Sequence, residues 1–154
     1  MATILLVDGD SVERRIMRMT LDIDGHRAAE AGTGREALEI IAKYPVDLMF
    51  LGTGLGDVDA YEVMTRTSAL PGRENTPMVA ILDGDDEKGP VDSFMAGAID
   101  LLIRPFGAHD LREVVLRATS AGEVDRRRVL VGLQLEAFET AQRLQEQARS
   151  APQI

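Results

Sequence analysis

Five short apolar runs alternate with segments of helical periodicity over the first 119 residues. The runs are rich in β-branched and aliphatic residues, which is typical of strands. They lie at 3–7, 26–31, 46–51, 77–82 and 100–103. Strict alternation of this kind predicts a parallel sheet with helices on both faces. With five units, it predicts an α/β chain with a doubly wound, flavodoxin-like (βα)5 sheet in the strand order 2-1-3-4-5.

The segments between these runs carry helix signals. Asp10 with Glu13, and Thr33 with Glu36, have the spacing of capping boxes. In the first of these segments, apolar residues recur at helical spacing at Val12, Ile16, Met19 and Ile23. A third helix is predicted near 60–66, and a fourth is expected to become regular only from 91 to 96. The fifth, over 108–119, is predicted to turn inward Leu111, Val114, Val115 and Ala118.

The central strand, 46–51, runs directly into a loop that contains three glycines. In an open α/β sheet, ligands bind outside the carboxyl ends of the strands, where the strand order reverses. For the predicted order, this point lies between the first and third strands. Asp8 and Gly52 should therefore face each other there, although Gly52 brings no side chain.

The chain after residue 119 predicts one more helix, an amphipathic one over 124–149. We interpret it as an extension, 120–154, of a domain complete at 1–119. Its apolar positions are Leu130, Leu133, Ala137, Phe138, Ala141 and Leu144. This stripe must be buried on the domain itself, on a partner's helix or on a second copy. Of the three, we favour the second copy, which would make the protein a homodimer.

Charge and composition exclude several classes of function. The net charge of −9 lies wholly in the first 119 residues, which hold 21 acidic and 12 basic residues. An acidic domain repels polyphosphate, which argues against nucleic acid as a partner, and the short basic run 126–128 is interpreted as a solvated helix surface. There is no cysteine. No apolar run is long enough to span a membrane and no signal peptide is evident, so we expect a cytoplasmic protein without a membrane partner.

Several phrases, in the right order and spacing, resemble the receiver domain of two-component response regulators over about residues 2–119. They are 4–8 (ILLVD), 30–38 (EAGTGREAL), 76–79 (TPMV) and 96–106 (AGAIDLLIRPF). The resemblance implies a signalling function with protein partners. In that family, two acids after the first strand hold Mg²⁺ and an aspartate ending the third strand accepts the phosphoryl group. A Thr or Ser after the fourth strand and a Lys after the fifth bind the phosphoryl oxygens.

In this chain the two metal-binding positions fall on Asp8 and Gly9, and the phosphoacceptor position falls on Gly52. The hydroxyl position falls on Leu82 and the lysine position on Arg104. The aromatic switch position falls on Leu101. A glycine cannot form an acyl phosphate, and one carboxylate is a poor site for Mg²⁺ once the phosphate oxygens are absent. The resemblance therefore implies a degenerate receiver, or pseudo-receiver, with neither phosphoacceptor nor metal, which acts independently of phosphorylation.

Other chemistry has weaker support. The glycines of 52–56 could let a small anion or a nucleotide approach the backbone, and a sensor of such a ligand, using Arg104, is the alternative function. Asp57 stands where the third glycine of a dinucleotide fingerprint belongs. The acidic turn 83–87 lacks the spacing of a calcium loop, and His26 and His109 are widely separated. We therefore expect no catalytic residues, no cofactor and no enzyme activity.

Overall fold

The computed structural model describes residues 1–150 and contains one five-stranded parallel sheet. Its strands are β1 (Thr3–Val7), β2 (Arg27–Ala31), β3 (Leu48–Gly52), β4 (Met78–Asp83) and β5 (Asp100–Arg104). The helices are α1 (Ser11–Ile23), α2 (Gly34–Lys43), α3 (Ala60–Ala69), α4 (Gly89–Ala96), α5 (Ala108–Thr119) and α6 (Ala121–Ser150). The strand order, β2-β1-β3-β4-β5, confirms the predicted flavodoxin-like sheet and its C-terminal helix. Residues 151–154 of the predicted extension lie outside the described residues.

The sheet separates two apolar clusters. Every residue of β3 is buried, as expected for a central strand covered on both faces. One cluster joins the sheet to α1 and α5, and it includes Leu111, Val114, Val115 and Ala118, which confirms the face predicted for α5. The other cluster joins the sheet to α2, α3 and α4.

Helix α1 contacts this core through a face different from its regular apolar stripe. Its buried residues are Met17 and Leu21. The four residues whose spacing predicted the helix point to solvent, with exposed fractions between 60% and 77%. They are Val12, Ile16, Met19 and Ile23. Helix α1 therefore carries apolar side chains on two faces, and only one of them is buried.

Helix α4 begins earlier than the sequence suggested. It starts at Gly89, with Pro90 in the first turn, where proline costs nothing because its missing N–H would have no intrahelical partner. The expectation that the helix becomes regular only from residue 91 is therefore wrong by two residues.

The first turns of α6 fold back on the amino-terminal edge of the sheet. Val124 is buried against the cluster shared with α5. Arg127 and Arg117 both bind the buried carboxylate of Asp100, at the start of β5. Arg128 donates to the carbonyl oxygen of Asn75 at 2.8 Å. The interpretation of 126–128 as a solvated surface is thus wrong for Arg127 and Arg128, which anchor the helix.

Beyond these anchors α6 leaves the domain. Leu135 is still half-buried, but every side chain from residue 136 to residue 150 is exposed. Leu130, Leu133 and Leu144 are 48%, 56% and 60% exposed. No helix within residues 1–150 is both long and apolar enough to cross a membrane.

The two parts of α6 should differ in their contribution to stability. We expect Val124→Ala to lower the free energy of unfolding by about 1–2 kcal/mol, because it removes buried methyl groups. The matched control, Val129→Ala, removes the same methyl groups from a side chain of α6 that is 63% exposed and should change it by less than about 0.5 kcal/mol. Urea denaturation of both variants measures the difference. Equal losses would contradict the docking of the first turns.

Candidate functional site

Asp8 and Gly52 meet at the carboxyl edge of the sheet, as predicted. A Cβ atom added to Gly52 would lie 2.9 Å from Cγ of Asp8 and 3.1 Å from Nη2 of Arg104. Both distances are shorter than an ordinary van der Waals contact, so a side chain at position 52 would have to displace its neighbours. The absence of a side chain at Gly52 thus lets the carboxylate and the guanidinium approach each other.

Arg104, the last residue of β5, is surrounded by three carboxylates. Its Nε and Nη2 donate to the two carboxylate oxygens of Glu13, each at 2.9 Å. Nη2 also lies 3.5 Å from Oδ2 of Asp8, and Nη1 lies 3.3 Å from Oδ1 of Asp83. We call Asp8, Glu13, Asp83 and Arg104 the arginine cluster. The paired, planar contact with Glu13 is a geometry that a lysine could not reproduce.

Glu13 is the member that the sequence did not reveal. The capping box is formed only in part, because Asp10 Oδ1 accepts the N–H groups of Val12 and Glu13 while the Glu13 carboxylate binds Arg104. The contact spans 91 positions of the chain. The spacing of Asp10 and Glu13 already explained Glu13 as part of a capping box. No local signal in the sequence pointed to a distant partner.

The pKa values of the two acids nearest Arg104 are shifted in opposite directions. Burial, followed by a hydrogen bond with Glu13, raises the pKa of Asp8 from its ordinary 3.8 to about 7, although the N–H of Asp10 and the charge of Arg104 act against the shift. Burial acts to raise the pKa of Glu13 too, but hydrogen bonds from Asp8 and Arg104 outweigh it and lower that pKa. A proton bound by this pair of acids therefore favours Asp8 over Glu13.

The residues of this edge do not fit the Mg²⁺ site that two acids after the first strand form in receiver domains. Asp8 is the one acid at the expected position, and the guanidinium of Arg104 already lies against it. Gly9 cannot be exchanged for a second acid in this backbone, because its Cβ would lie 2.8 Å from the carbonyl oxygen of Gly54. No group of three His, Asp or Glu side chains within residues 1–150 is placed to hold a metal ion.

Leu82 and Leu101 bring no polar group to the site. Leu82 is fully buried in the cluster beneath α2–α4, and Leu101 is half-buried and packed against the same cluster. The residue after Leu82, Asp83, turns its carboxylate to Arg104 instead. The fourth strand therefore contributes a negative charge here rather than a hydroxyl.

The glycine loop is surrounded by acids that stabilise helix starts. Gly54 and Gly56 adopt the left-handed conformation, with φ of 83° each. Asp57 accepts the N–H groups of Gly34 and Arg35 at the start of α2, and the Gly34 bond is the main cause of its lowered pKa. Asp59 caps α3 at Tyr61. The carboxylates beside the loop, together with the engagement of Arg104, do not favour an anion there.

The two histidines lie apart. His26 Nδ1 accepts the N–H of Ala2 at 3.0 Å, near the amino-terminal edge of the sheet. His109 is exposed on α5 and lies 3.2 Å from Glu113.

Comparison with known proteins identifies the family of this chain. The profile of the response regulator receiver domain matches residues 4–116. The chain belongs to the receiver family of response regulators. The receiver match covers all five strands except Thr3, together with most of α5, and ends before α6.

The chain spans about half the length of the curated relatives it matches. It is 30% identical over 130 residues to the transcriptional regulatory protein KdpE of Mycobacterium tuberculosis, covering 82% of this chain and 56% of KdpE. It is 32% identical over 114 residues to the transcriptional regulatory protein SrrA of Staphylococcus aureus, covering 74% of this chain and 45% of SrrA.

Solved receiver structures have the same fold. A putative response regulator from Chloroflexus aurantiacus superimposes with a TM-score of 0.74 at 27% identity, covering 77% of this chain and 97% of that one. The receiver domain of NtrX from Brucella abortus gives 0.71 at 26% identity, covering 77% and 98%. The chemotaxis response regulator CheY4 of Vibrio cholerae gives 0.73 at 23% identity, covering 77% and 98%, which supports the fold alone.

Removal of the guanidinium should destabilise the chain. We expect Arg104→Ala to lower the free energy of unfolding by about 2 kcal/mol, because it leaves carboxylates close together and partly buried without a counter-charge. The control is Arg66→Ala, which breaks an exposed pair with Glu62 and should cost less than about 1 kcal/mol. Chemical denaturation at neutral pH measures both, and equal effects would contradict a structural role for the arginine cluster.

The raised pKa of Asp8 predicts a pH dependence of stability. Between about pH 4 and pH 7 the folded chain binds more protons at Asp8 than the unfolded chain does. Its contribution to the free energy of unfolding therefore falls as the pH rises through that window. In Asp8→Asn this contribution is absent, so the variant should gain stability relative to the parent chain as the pH rises. Denaturation curves at several pH values test this, and identical slopes for variant and parent would contradict it.

Proposed function

We propose that this chain is a pseudo-receiver, a signalling and protein-interaction module that works without phosphorylation. The observation that carries the proposal is the contact made possible by Gly52. At the position that the family resemblance assigns to the phosphoacceptor there is no carboxylate, and the guanidinium of Arg104 and the carboxylate of Asp8 lie against the backbone instead.

The arginine cluster supports a single conformation of the carboxyl edge of the sheet. In phosphoryl transfer the protein supplies an acceptor, a metal and fixed positive charge. Here the positive charge is already neutralised by Glu13, Asp8 and Asp83. With leucine at positions 82 and 101, no side chain at either position can respond to a phosphoryl group through a hydroxyl or an aromatic ring. We infer that the α4–β5–α5 surface keeps one conformation and is available to protein partners at all times.

The exposed part of α6 is the second element of the proposed module. Its docked face carries Val124, Val131 and Leu135, whereas Leu130, Leu133 and Leu144 lie on another face and are exposed. A helix with one apolar face on its own domain and a second left in solvent can bind another helix. We propose that this second face binds a protein partner, of which a second copy of this chain is the simplest.

The phosphorylation test is direct. We expect the intact mass of the chain to remain unchanged after incubation with acetyl phosphate and Mg²⁺, because position 52 has no acceptor and the edge does not fit the metal. A receiver that retains its acceptor aspartate is the positive control. A gain of one phosphoryl group by this chain, lost again in Asp83→Asn, would contradict the proposal and identify Asp83 as a substitute acceptor.

The role of α6 has its own test. We expect self-association, measured by light scattering over a concentration series, to weaken in Leu133→Glu because the new charge lies in the apolar stripe. Gln142→Glu adds the same charge on the opposite side of the helix, in an exposed position, and should leave the association unchanged. Equal behaviour of the two variants would contradict a homodimer formed through this stripe.

A further inference from the structure

The exposed stripe of α1 has the spacing of alternating a and d positions over about one and a half heptads. Its residues are separated by four, three and four positions, and all four are large and apolar. Val12 is 67% exposed, Ile16 and Met19 are 60% exposed each, and Ile23 is 77% exposed. A seam that repeats every 3.5 residues is the pattern by which two helices pack side chains into each other's gaps. A contiguous exposed apolar patch commonly marks an interaction site.

No described part of the chain covers this stripe. Helix α1 contacts the core through Met17 and Leu21, on another face. The docked turns of α6 lie at the start of β5 and beside Asn75, where Arg127 and Arg128 anchor them. Arg14 and Arg18 hold α1 to Glu30 of β2, each at 2.9 Å. The stripe is therefore a fixed surface, ready to bind without rearrangement.

The charges beside the stripe are self-complementary. Arg15 and Asp22 are seven positions apart and flank the seam on the same side, both exposed. Within residues 1–150 Arg15 forms no ion pair. The carboxylate of Asp22 has a long contact of 4.0 Å with the exposed Arg18. On the other flank, Glu13 is engaged by Arg104 and Thr20 is uncharged. One flank thus offers one positive and one negative group at the spacing of a heptad.

We propose that α1 pairs with α1 of a second copy of the chain in an antiparallel arrangement. In this orientation like flanks face each other, so Arg15 of each copy lies beside Asp22 of the other. In the apolar layers, Val12 meets Ile23 and Ile16 meets Met19. A parallel pair would instead place Arg15 opposite Thr20 and would form no charge pair. Helix dipoles also favour the antiparallel orientation.

The geometry determines the kind of assembly. A patch that pairs with itself about a twofold axis closes as a dimer. One four-residue seam is smaller than the roughly 800 Å² per partner of a standard interface, so the dimer should be weak and should depend on concentration. The contact is independent of the proposed function of α6. If both stripes pair, each chain has two twofold contacts and the copies assemble into longer strings.

A charge-reversal experiment tests the pairing. All chains carry Leu133→Glu, so that association through α6 does not interfere. Sedimentation should show a concentration-dependent dimer for this parent. Arg15→Asp or Asp22→Arg alone should weaken the affinity of the dimer about tenfold, because each variant has a flank with charges of a single sign. A mixture of the two variants should recover the dimer, because two Asp residues then face two Arg residues. Monomers of the parent up to about millimolar concentration, or a mixture no stronger than the single variants, would overturn the proposal.

Cross-linking tests the orientation. The chain has no cysteine, so Ile16→Cys and Met19→Cys introduce unique thiols at exposed positions. Under mild oxidation the antiparallel pair predicts that mixed disulfides between the two variants exceed those within either one. Leu116→Cys, on the exposed face of α5, is the control and should not cross-link. A predominance of disulfides between two copies of the same variant would indicate a parallel pair and would overturn the antiparallel arrangement.

Discussion

The guanidinium of Arg104 determines the arrangement of the carboxyl edge of the sheet. It brings together carboxylates from three elements that are distant in sequence: Asp8 after β1, Glu13 in α1 and Asp83 at the end of β4. Without a cation, these groups would repel one another in a partly buried site, where charge interactions are stronger than in water. A glycine at position 52 favours this approach of Arg104, because a Cβ there would lie 3.1 Å from Nη2 and the guanidinium would have to move away.

The protein's own charges fill this edge, and exposed apolar surfaces lie on its helices. The receiver family is shown by the match over residues 4–116, but position 52 carries no acid and position 9 carries no second one. Two helices retain apolar faces that the described chain does not cover, on α1 and on the outer part of α6. The proposed interaction module would act through these two faces, which the sheet holds on separate helices.

Much of the fold could be predicted because its signals are local. Apolar runs marked the strands, and capping residues marked the starts of α1 and α2, so the strand order and the meeting of Asp8 with Gly52 followed from the alternation. The role of Glu13 could not be predicted, since its contact with Arg104 spans 91 positions and a local cap already accounted for it. The anchoring of α6 by Arg127 depends in the same way on Asp100, a residue in another element.

The sequence by itself determined the alternating elements, the order of the strands and the position of the site, because each depends on periodicity or on the chirality of strand connections. Only the tertiary structure decided which apolar face of α1 enters the core. Both faces have helical spacing, and the choice of Met17 and Leu21 over the outer stripe depends on how α1 lies on β1 and against α5. The tertiary structure also decided that the first turns of α6 pack on the domain and that the rest of the helix leaves it. The length of the helix alone was compatible with a docked helix and with a free one.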